Sequence, residues 1–431
     1  MMPRTCALPI VLLVCILFVV PARLHAADTI TLDQAVNIAL QKNPSLAASR
    51  SGVNIAQHKV TQARAAYYPQ VSASAGYERT GTHSGSGKSK TDSTVDDIST
   101  GISVTQYLYD FGKTPAQVEK SRRDREYAEK GLETVEKTLI RDVKQAFFEV
   151  LKHQQLVLVG RESVTVRKQQ LEQARALYGA GMRPKIDITR AEVETSQAQL
   201  TLVTAEQGLQ ESIIVFERLL GGRPVPGDYT LAEVYPSATV TPHLEELIET
   251  AADTRPEIAA LTAQIRAAEA DLTSVKQSAF PNLSASGSYN YSGDDLSLED
   301  HRWQVGVSLN WPLFTGFRQS GQVLESREAV NRLHAQLDSL RLQVTEEVTR
   351  AYVQLQTARE TIKNAETALT QAEENLALAR GRYAAGVSDS IELSDAQVLY
   401  TESRSELVQA RYDSHKARAG LECAVGEDIS G

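Results

Sequence analysis

Tyr68-Pro69-Gln70-Val71-Ser72-Ala73-Ser74-Ala75-Gly76-Tyr77 and Phe280-Pro281-Asn282-Leu283-Ser284-Ala285-Ser286-Gly287-Ser288-Tyr289 are one phrase written twice, 212 positions apart. The prolines, the small residues and the closing tyrosine coincide, and self-similarity of this kind decides the architecture before any local reading does. Upstream, Asn43-Pro44-Ser45-Leu46 matches Arg255-Pro256-Glu257-Ile258 at the same offset. Downstream the offset becomes 205: Tyr109-Asp110-Phe111-Gly112-Lys113 answers Phe314-Thr315-Gly316-Phe317-Arg318, and Tyr178-Gly179-Ala180-Gly181 answers Tyr383-Ala384-Ala385-Gly386. Gly221 and Gly426 close the two halves. The change of offset falls in the Gly/Ser/Asp-rich stretch Gly81 to Asp97, against the shorter Ser292 to Asp300, which reads as an exposed loop of variable length.

The quoted phrase alternates, as a strand does. Trp303 to Leu313 places Trp303, Val305, Val307, Leu309, Trp311 and Leu313 on one face with small or polar residues between them. Leu283 to Tyr291, Val71 to Tyr77 and Ile102 to Leu108 follow the same rule. One face is apolar, with aromatics near the strand ends, and the other is polar without strong charge. A half-buried sheet in a soluble domain would alternate in the same way. Strands of about ten residues in a secreted chain favour the transmembrane alternative. Four strands cannot close a barrel and an open edge in lipid is costly, so several chains must each contribute four.

A different period governs the segments between. Leu333, Leu337, Leu340, Val344, Val348, Ala351, Leu355, Ala358, Ile362, Ala365, Leu369, Ala372, Leu376, Ala379 and Tyr383 step by threes and fours, a heptad seam over some fifty residues. Leu132, Val135, Leu139, Val143, Ala146 and Val150 begin the same seam in the first half. Helices of roughly 65 residues are expected from about Pro115 to Tyr178 and from Gln319 to Tyr383, each about 95 Å long and each turning back at a glycine.

The N-terminus carries Arg4, an apolar run from Ala7 to Val20, and Leu24-His25-Ala26, which reads as a signal peptide over residues 1–26. The run is too short for a retained anchor, and Val14 before Cys15 argues against acylation. Cleavage removes two of the three cysteines, leaving Cys423, and moves the formal net charge from −9 to −11. No disulfide can brace the mature chain, and the negative balance argues against nucleic acid as a partner. No phosphate-binding loop, nucleophile elbow or paired histidine ligands support catalysis, a metal or a cofactor.

The organisation expected is a first repeat over 27–222, with a strand pair near 69–110 and a tip turn at 178–187. A linker over 223–242 follows, and then a second repeat over 243–431, with a strand pair near 281–314 and a tip turn at 383–391. On the tandem halves, the Tyr-x-x-Gly turns, the return helix at Leu393-Ser394-Asp395-Ala396-Gln397 and the strand starts at Pro69 and Pro281, the chain resembles the TolC family of outer-membrane efflux proteins. The resemblance covers the whole mature chain.

What the resemblance implies is a mainly α fold with membrane β. A homotrimer closes a 12-stranded outer-membrane barrel, four strands per chain, and a periplasmic helical barrel continues it. Such a protein is an exit duct for a tripartite efflux pump or type I secretion system, passing cargo delivered by an inner-membrane pump of RND or ABC type through a periplasmic adaptor. Carried over by position, Gly181, Met182, Gly386 and Val387 face the adaptor, while glycine caps explain the same turns equally well. Glu392 and Asp395 would form an acidic pore constriction, although acidic residues also suit a helix start. Tyr178, Asp187, Tyr383 and Ser388 would latch the tip. Tyr77, Tyr289, Trp303 and Trp311 read as aromatics at the interfaces with outer-membrane lipid. Two rivals remain: a coiled-coil structural or adhesive surface protein without a pore, which has no use for strand pairs with polar inner faces, and a self-sufficient porin, which would share the barrel but not about 300 residues of helix.

Overall fold

The computed structural model describes residues 28–84, 91–224, 229–233, 243–295 and 298–427. The expected signal peptide and most of the expected linker lie outside the described residues. A short strand β1 (Asp28–Ile30) leads into α1 (Leu32–Lys42), α2 (Pro44–Arg64), β2 (Gln70–Ser84), β3 (Thr91–Tyr109) and the helical pair α3 (Lys113–Gly179) and α4 (Lys185–Leu219). After β4 (Tyr229–Leu231) the plan repeats as α5 (Leu244–Thr254), α6 (Pro256–Gln277), β5 (Asn282–Gly293), β6 (Asp300–Asn310), α7 (Arg318–Ala384) and α8 (Ser390–Val425). The two long helices, α3 and α7, have 67 residues each, about 100 Å at the usual rise.

Strands β2-β3-β5-β6 make one antiparallel sheet with β2 and β6 as open edges. Register carries the alternation across all four strands: Ala73, Ile102, Tyr289 and Trp303 stand in one row, and Val71, Val104, Gly287 and Val305 in the next. The opposite face is hydroxyl-lined, with Ser72 bonded to Ser103 at 2.7 Å and Ser284 to Ser308 at 2.9 Å. There Asn290 lies over Gly101, where an added Cβ would come within 2.0 Å of its Oδ1, so the glycine is required.

Two strand boundaries differ from the sequence reading. Strand β6 stops at Asn310, short of the Leu313 expected, because Pro312 has no N–H for the ladder. Much of Gly81 to Asp97 is ladder rather than loop: β2 and β3 pair out to Ser84↔Thr91, so this hairpin outreaches β5 and β6. Polar, Gly/Ser-rich composition marks exposure, and an exposed two-stranded ribbon satisfies it as well as a loop does. Within the linker, β4 pairs in parallel with β1 through Asp28↔Tyr229, a ladder too short to show a period.

The heptad seam is the buried stripe of α7: Leu333 and Leu337 pack on Ile265 of α6, Val344, Val348, Ala351 and Leu355 cluster with Leu247 of α5 and Leu421 of α8, and Leu376 and Ala379 meet Leu393 and Ala396 of α8. The first pair buries Leu139, Val143, Ala146, Val150 and Phe147 against Phe216 and Leu220. Equivalent joints fasten the start of each repeat to its end. The Asn43 amide caps α2 and donates to the Leu219 carbonyl at 2.8 Å. At the matching place the buried Arg255 donates to the Ala424 carbonyl at 3.0 Å and to Glu347 at 2.8 Å. Gly221 and Gly426 follow the return helices in left-handed conformation, φ +83° and +86°. Midway along the helices, Glu149 receives the ammonium groups of Lys152 and Lys416. Burial alone would raise its carboxyl, but the two cations outweigh burial and hold it down at about 2.

Candidate functional site: the helical tip and the aromatic bands

Both long helices end in the same way. The N–H of Gly181 bonds the Tyr178 carbonyl at 2.9 Å and that of Met182 bonds Leu177 at 2.9 Å; Gly386 and Val387 repeat this with Tyr383 and Arg382 at 3.1 Å each. Gly181 and Gly386 both have φ +73°. This is the two-bond glycine closure of a helix C-terminus, which satisfies carbonyls that would otherwise face solvent alone. It leaves Met182 and Val387 outermost, 71% and 68% exposed. The second return helix is capped by Asp389, whose carboxylate accepts from the N–H groups of Ile391 and Glu392 at 3.1 Å.

The two turns are tied to each other within one chain. Arg183 donates to the Ser388 carbonyl at 3.3 Å and sets its guanidinium 5.1 Å from the Tyr383 ring centroid. Ser390 donates to Asp187 at 3.1 Å. Three of the four latch candidates, Asp187, Tyr383 and Ser388, therefore meet at one seam, joined by Arg183 and Ser390. Tyr178 stands apart and exposed, with no bond of its hydroxyl among the described residues. Arg183 sits 205 positions before Ser388, so the repeat itself pointed to a residue pair at the seam although the sequence reading did not include the arginine.

Higher in the same seam Arg167 is only 6% exposed. It pairs with Glu194 at 2.8 Å, bonds Gln170 at 3.0 Å, and approaches Ser394, which donates to Glu194 at 2.6 Å. Burial pushes the Arg167 pKa down and Glu194 opposes it. The guanidinium remains charged and rivets α3 and α4 to α8.

The two carboxylates expected to act together do not stand alike. Glu392 accepts from Arg382 Nε at 2.9 Å and from the Ser388 hydroxyl, so its charge is compensated inside its own hairpin. Asp395, one turn further on, is exposed and forms no side-chain bond among the described residues.

The four sheet aromatics are exposed: Tyr77 62%, Tyr289 43%, Trp303 69% and Trp311 57%. Tyr289 and Trp303 are register partners, Tyr291 meets Tyr289 edge-on while His301 stacks with it, and the Tyr77 hydroxyl donates to Asp96 at 2.8 Å. Trp311 lies beyond the opposite end of β6. There the structure adds residues that the sequence reading used only as repeat matches. Phe111 stacks with Phe280 at 5.8 Å, and Phe314 meets Phe317 edge-on at 5.6 Å. Phe111 and Phe317 are held at φ +55° and +63°, an uncommon conformation for a residue with a side chain. Among the described residues no helix is long and apolar enough to cross a membrane, and no group of His, Cys, Asp or Glu is placed to hold a metal ion.

The arrangement is similar to that of the Campylobacter jejuni CmeC outer membrane channel, with a TM-score of 0.81 at 15% identity, covering 92% of this chain and 86% of that one. The chain is 24% identical to the outer membrane efflux protein BepC of Brucella suis over 406 residues, 93% of this chain and 86% of that protein. It is 23% identical to outer membrane protein TolC of Vibrio cholerae over 407 residues, 92% of this chain and 90% of that protein. The model of the outer membrane efflux protein family matches residues 35–222 and 247–427, one span for each repeat and together most of the chain. The chain therefore belongs to the outer membrane efflux protein family, and it is a channel of the outer membrane with a helical periplasmic portion rather than an enzyme.

Proposed function

We propose that three copies of the chain close one twelve-stranded barrel and one helical tunnel, and that this duct passively conducts cargo handed to it by an inner-membrane pump of RND or ABC type through a periplasmic adaptor. The observation that carries this reading is the open four-stranded sheet fused to 67-residue helices. Its two edges, β2 and β6, cannot remain unpaired in lipid, where each orphan backbone group costs several kcal/mol, and neighbouring copies supply the missing strands. Helices about 100 Å long then carry the tunnel from the membrane into the periplasm. The chain has no phosphate-binding loop, so the energy for transport comes from elsewhere.

In this reading the outer face of the sheet meets lipid, with Tyr77, Tyr289 and Trp303 in the outer aromatic band and Trp311 in the inner one. The Gly181, Met182, Gly386 and Val387 turns face the adaptor. A photo-crosslinking residue at Met182 or Val387, irradiated in living cells, is expected to capture a periplasmic adaptor protein, and the pump that co-purifies with it names the cargo class. Met182 and Val387 suit the purpose better than Ser388, whose carbonyl and hydroxyl are both engaged. Capture of extracellular proteins alone would place the tip on the wrong side of the membrane and overturn the reading.

The Arg183 and Ser390 bonds hold the two hairpins of each chain together, and Asp395 supplies the net negative charge of the constriction. Glu392 adds less, because Arg382 offsets it. In single-channel recordings Asp395→Ala is expected to lower cation preference several-fold, Glu392→Ala to change it less, and Arg382→Ala to raise it, since fixed charge at a narrow ring sets the local ion concentration. Equal effects of Asp395→Ala and Glu392→Ala would contradict this division of charge.

A further inference from the structure

On the outward face of the sheet a hollow of about 520 Å³ lies over Gly287. Its walls are Val104 of β3 and Val305 of β6, and Ile102, Tyr289 and Trp303 stand in the row above it. Gly287 makes the floor: a Cβ there would meet nothing nearer than 3.9 Å, so the space is not taken by a neighbouring strand. The next outward residue toward the helices is Ala285, and its register neighbour Gln106 turns its amide back to the Tyr67 carbonyl at 3.2 Å. The hollow ends short of that pair and runs as a shallow trough from Thr100 and Tyr291 to Val104, Gly287 and Val305. At its upper end the hydroxyls of Tyr289 and Tyr291 lie 3.4 Å apart beside the His301 ring.

We propose that this trough is a lipid site, seating one acyl chain of an outer-leaflet lipid against Gly287 with its ester and headgroup level at Tyr289, Tyr291 and His301. The proposal rests on the reading that the apolar face of the sheet is the one in contact with lipid. The long axis runs along the strand, the walls are branched aliphatics, and polarity is confined to the end facing away from the helices. That is the gradient of a lipid molecule in one leaflet. Trp303 lies eight residues from the inner-band Trp311 along the strand, about 20 Å in height for a tilt near 40°, which puts the floor at Gly287 in the outer half of the hydrocarbon. The volume falls within the range of about 300–1,000 Å³ typical of sites that hold a small ligand. A flat strand face gives a chain one wall, whereas here it has a floor and two.

The chain has only two tryptophans, and one of them lines the trough. With Trp311→Phe in place, Trp303 is the sole emitter, and its quenching is followed in vesicles of dioleoyl phosphatidylcholine as its 9,10-dibromo derivative replaces it. The expected result is a saturating curve at low mole fraction. Gly287→Leu, which fills the floor, and Val104→Phe, which narrows the trough from β3 without changing a β5 residue, return it to simple proportionality. Trp303→Phe, leaving Trp311, is proportional throughout. Proportional quenching of Trp303 in the parent chain overturns the site while keeping the lipid-facing reading, as does a saturating curve that neither variant changes. Absence of quenching at both tryptophans overturns the lipid-facing reading itself.

Discussion

Arg167→Ala is expected to destabilise the folded chain by about 3–5 kcal/mol, the usual cost of stripping one partner from a buried ion pair. The guanidinium touches Glu194, Gln170 and Ser394 at once, on three helices. Removing it leaves the Glu194 carboxylate with little besides the Ser394 hydroxyl, and burying an uncompensated charge is what makes such losses large. Chemical denaturation of the detergent-solubilised protein measures the effect. The double variant Arg167→Met with Glu194→Leu is expected to recover most of it, because apolar residues of similar volume often replace a buried pair at little cost. Exposed pairs such as Arg161–Glu206, with both side chains about half exposed, contribute under about 1 kcal/mol. A loss of that size at Arg167 would show that the site is wetter than its geometry indicates.

Gly221→Ala is the second large effect. A Cβ at Gly221 would lie 2.5 Å from the Lys42 carbonyl oxygen, a backbone atom that cannot swing aside. The left-handed conformation adds about 1–2 kcal/mol and the overlap about 1–3 kcal/mol, so a total of about 2–5 kcal/mol is expected in the same denaturation measurement. Gly426→Ala meets Thr254 Oγ1 at 3.0 Å, a contact relieved by a shift of about a few tenths of an ångström. Its cost is expected to be nearer the conformational part alone. Equal costs at the two glycines would mean that the α1–α2 joint yields where the structure has it rigid.

Why the fold was readable and parts of the tip were not follows from which residues act locally. Strand alternation, the heptad seam and the two offsets are properties of neighbours in sequence, and a period survives whatever the tertiary arrangement. Trp303 and Tyr289 show it: a period of two puts each on the apolar face, and register then makes them partners. Arg167, Arg183 and Arg382 are different. A lone arginine on a helix reads as a solvated charge, and only the packing of the return helix on the long one brings Glu194 to Arg167 and Glu392 to Arg382, and only the packing of one hairpin on the other brings Ser388 to Arg183.

The same reason split the acidic pair. One helical turn correctly puts Glu392 and Asp395 on one side of α8, but the neighbouring helix decides which of them keeps its charge unpaired. Phe111 and Phe317 are legible in the sequence only as members of matching repeat segments; their positive φ, beside Gly112 and Gly316, has no sequence signal because a residue with a side chain rarely adopts it. The strand end at Asn310 is legible in Pro312, which has no N–H to offer the ladder.

The measurement that bears most directly on the account is the mass of the detergent-extracted assembly by native mass spectrometry. The open edges at β2 and β6 predict a single species of three copies of the mature chain, released from membranes only by detergent. A single copy, or release by salt or buffer alone, would contradict the shared barrel and with it the duct.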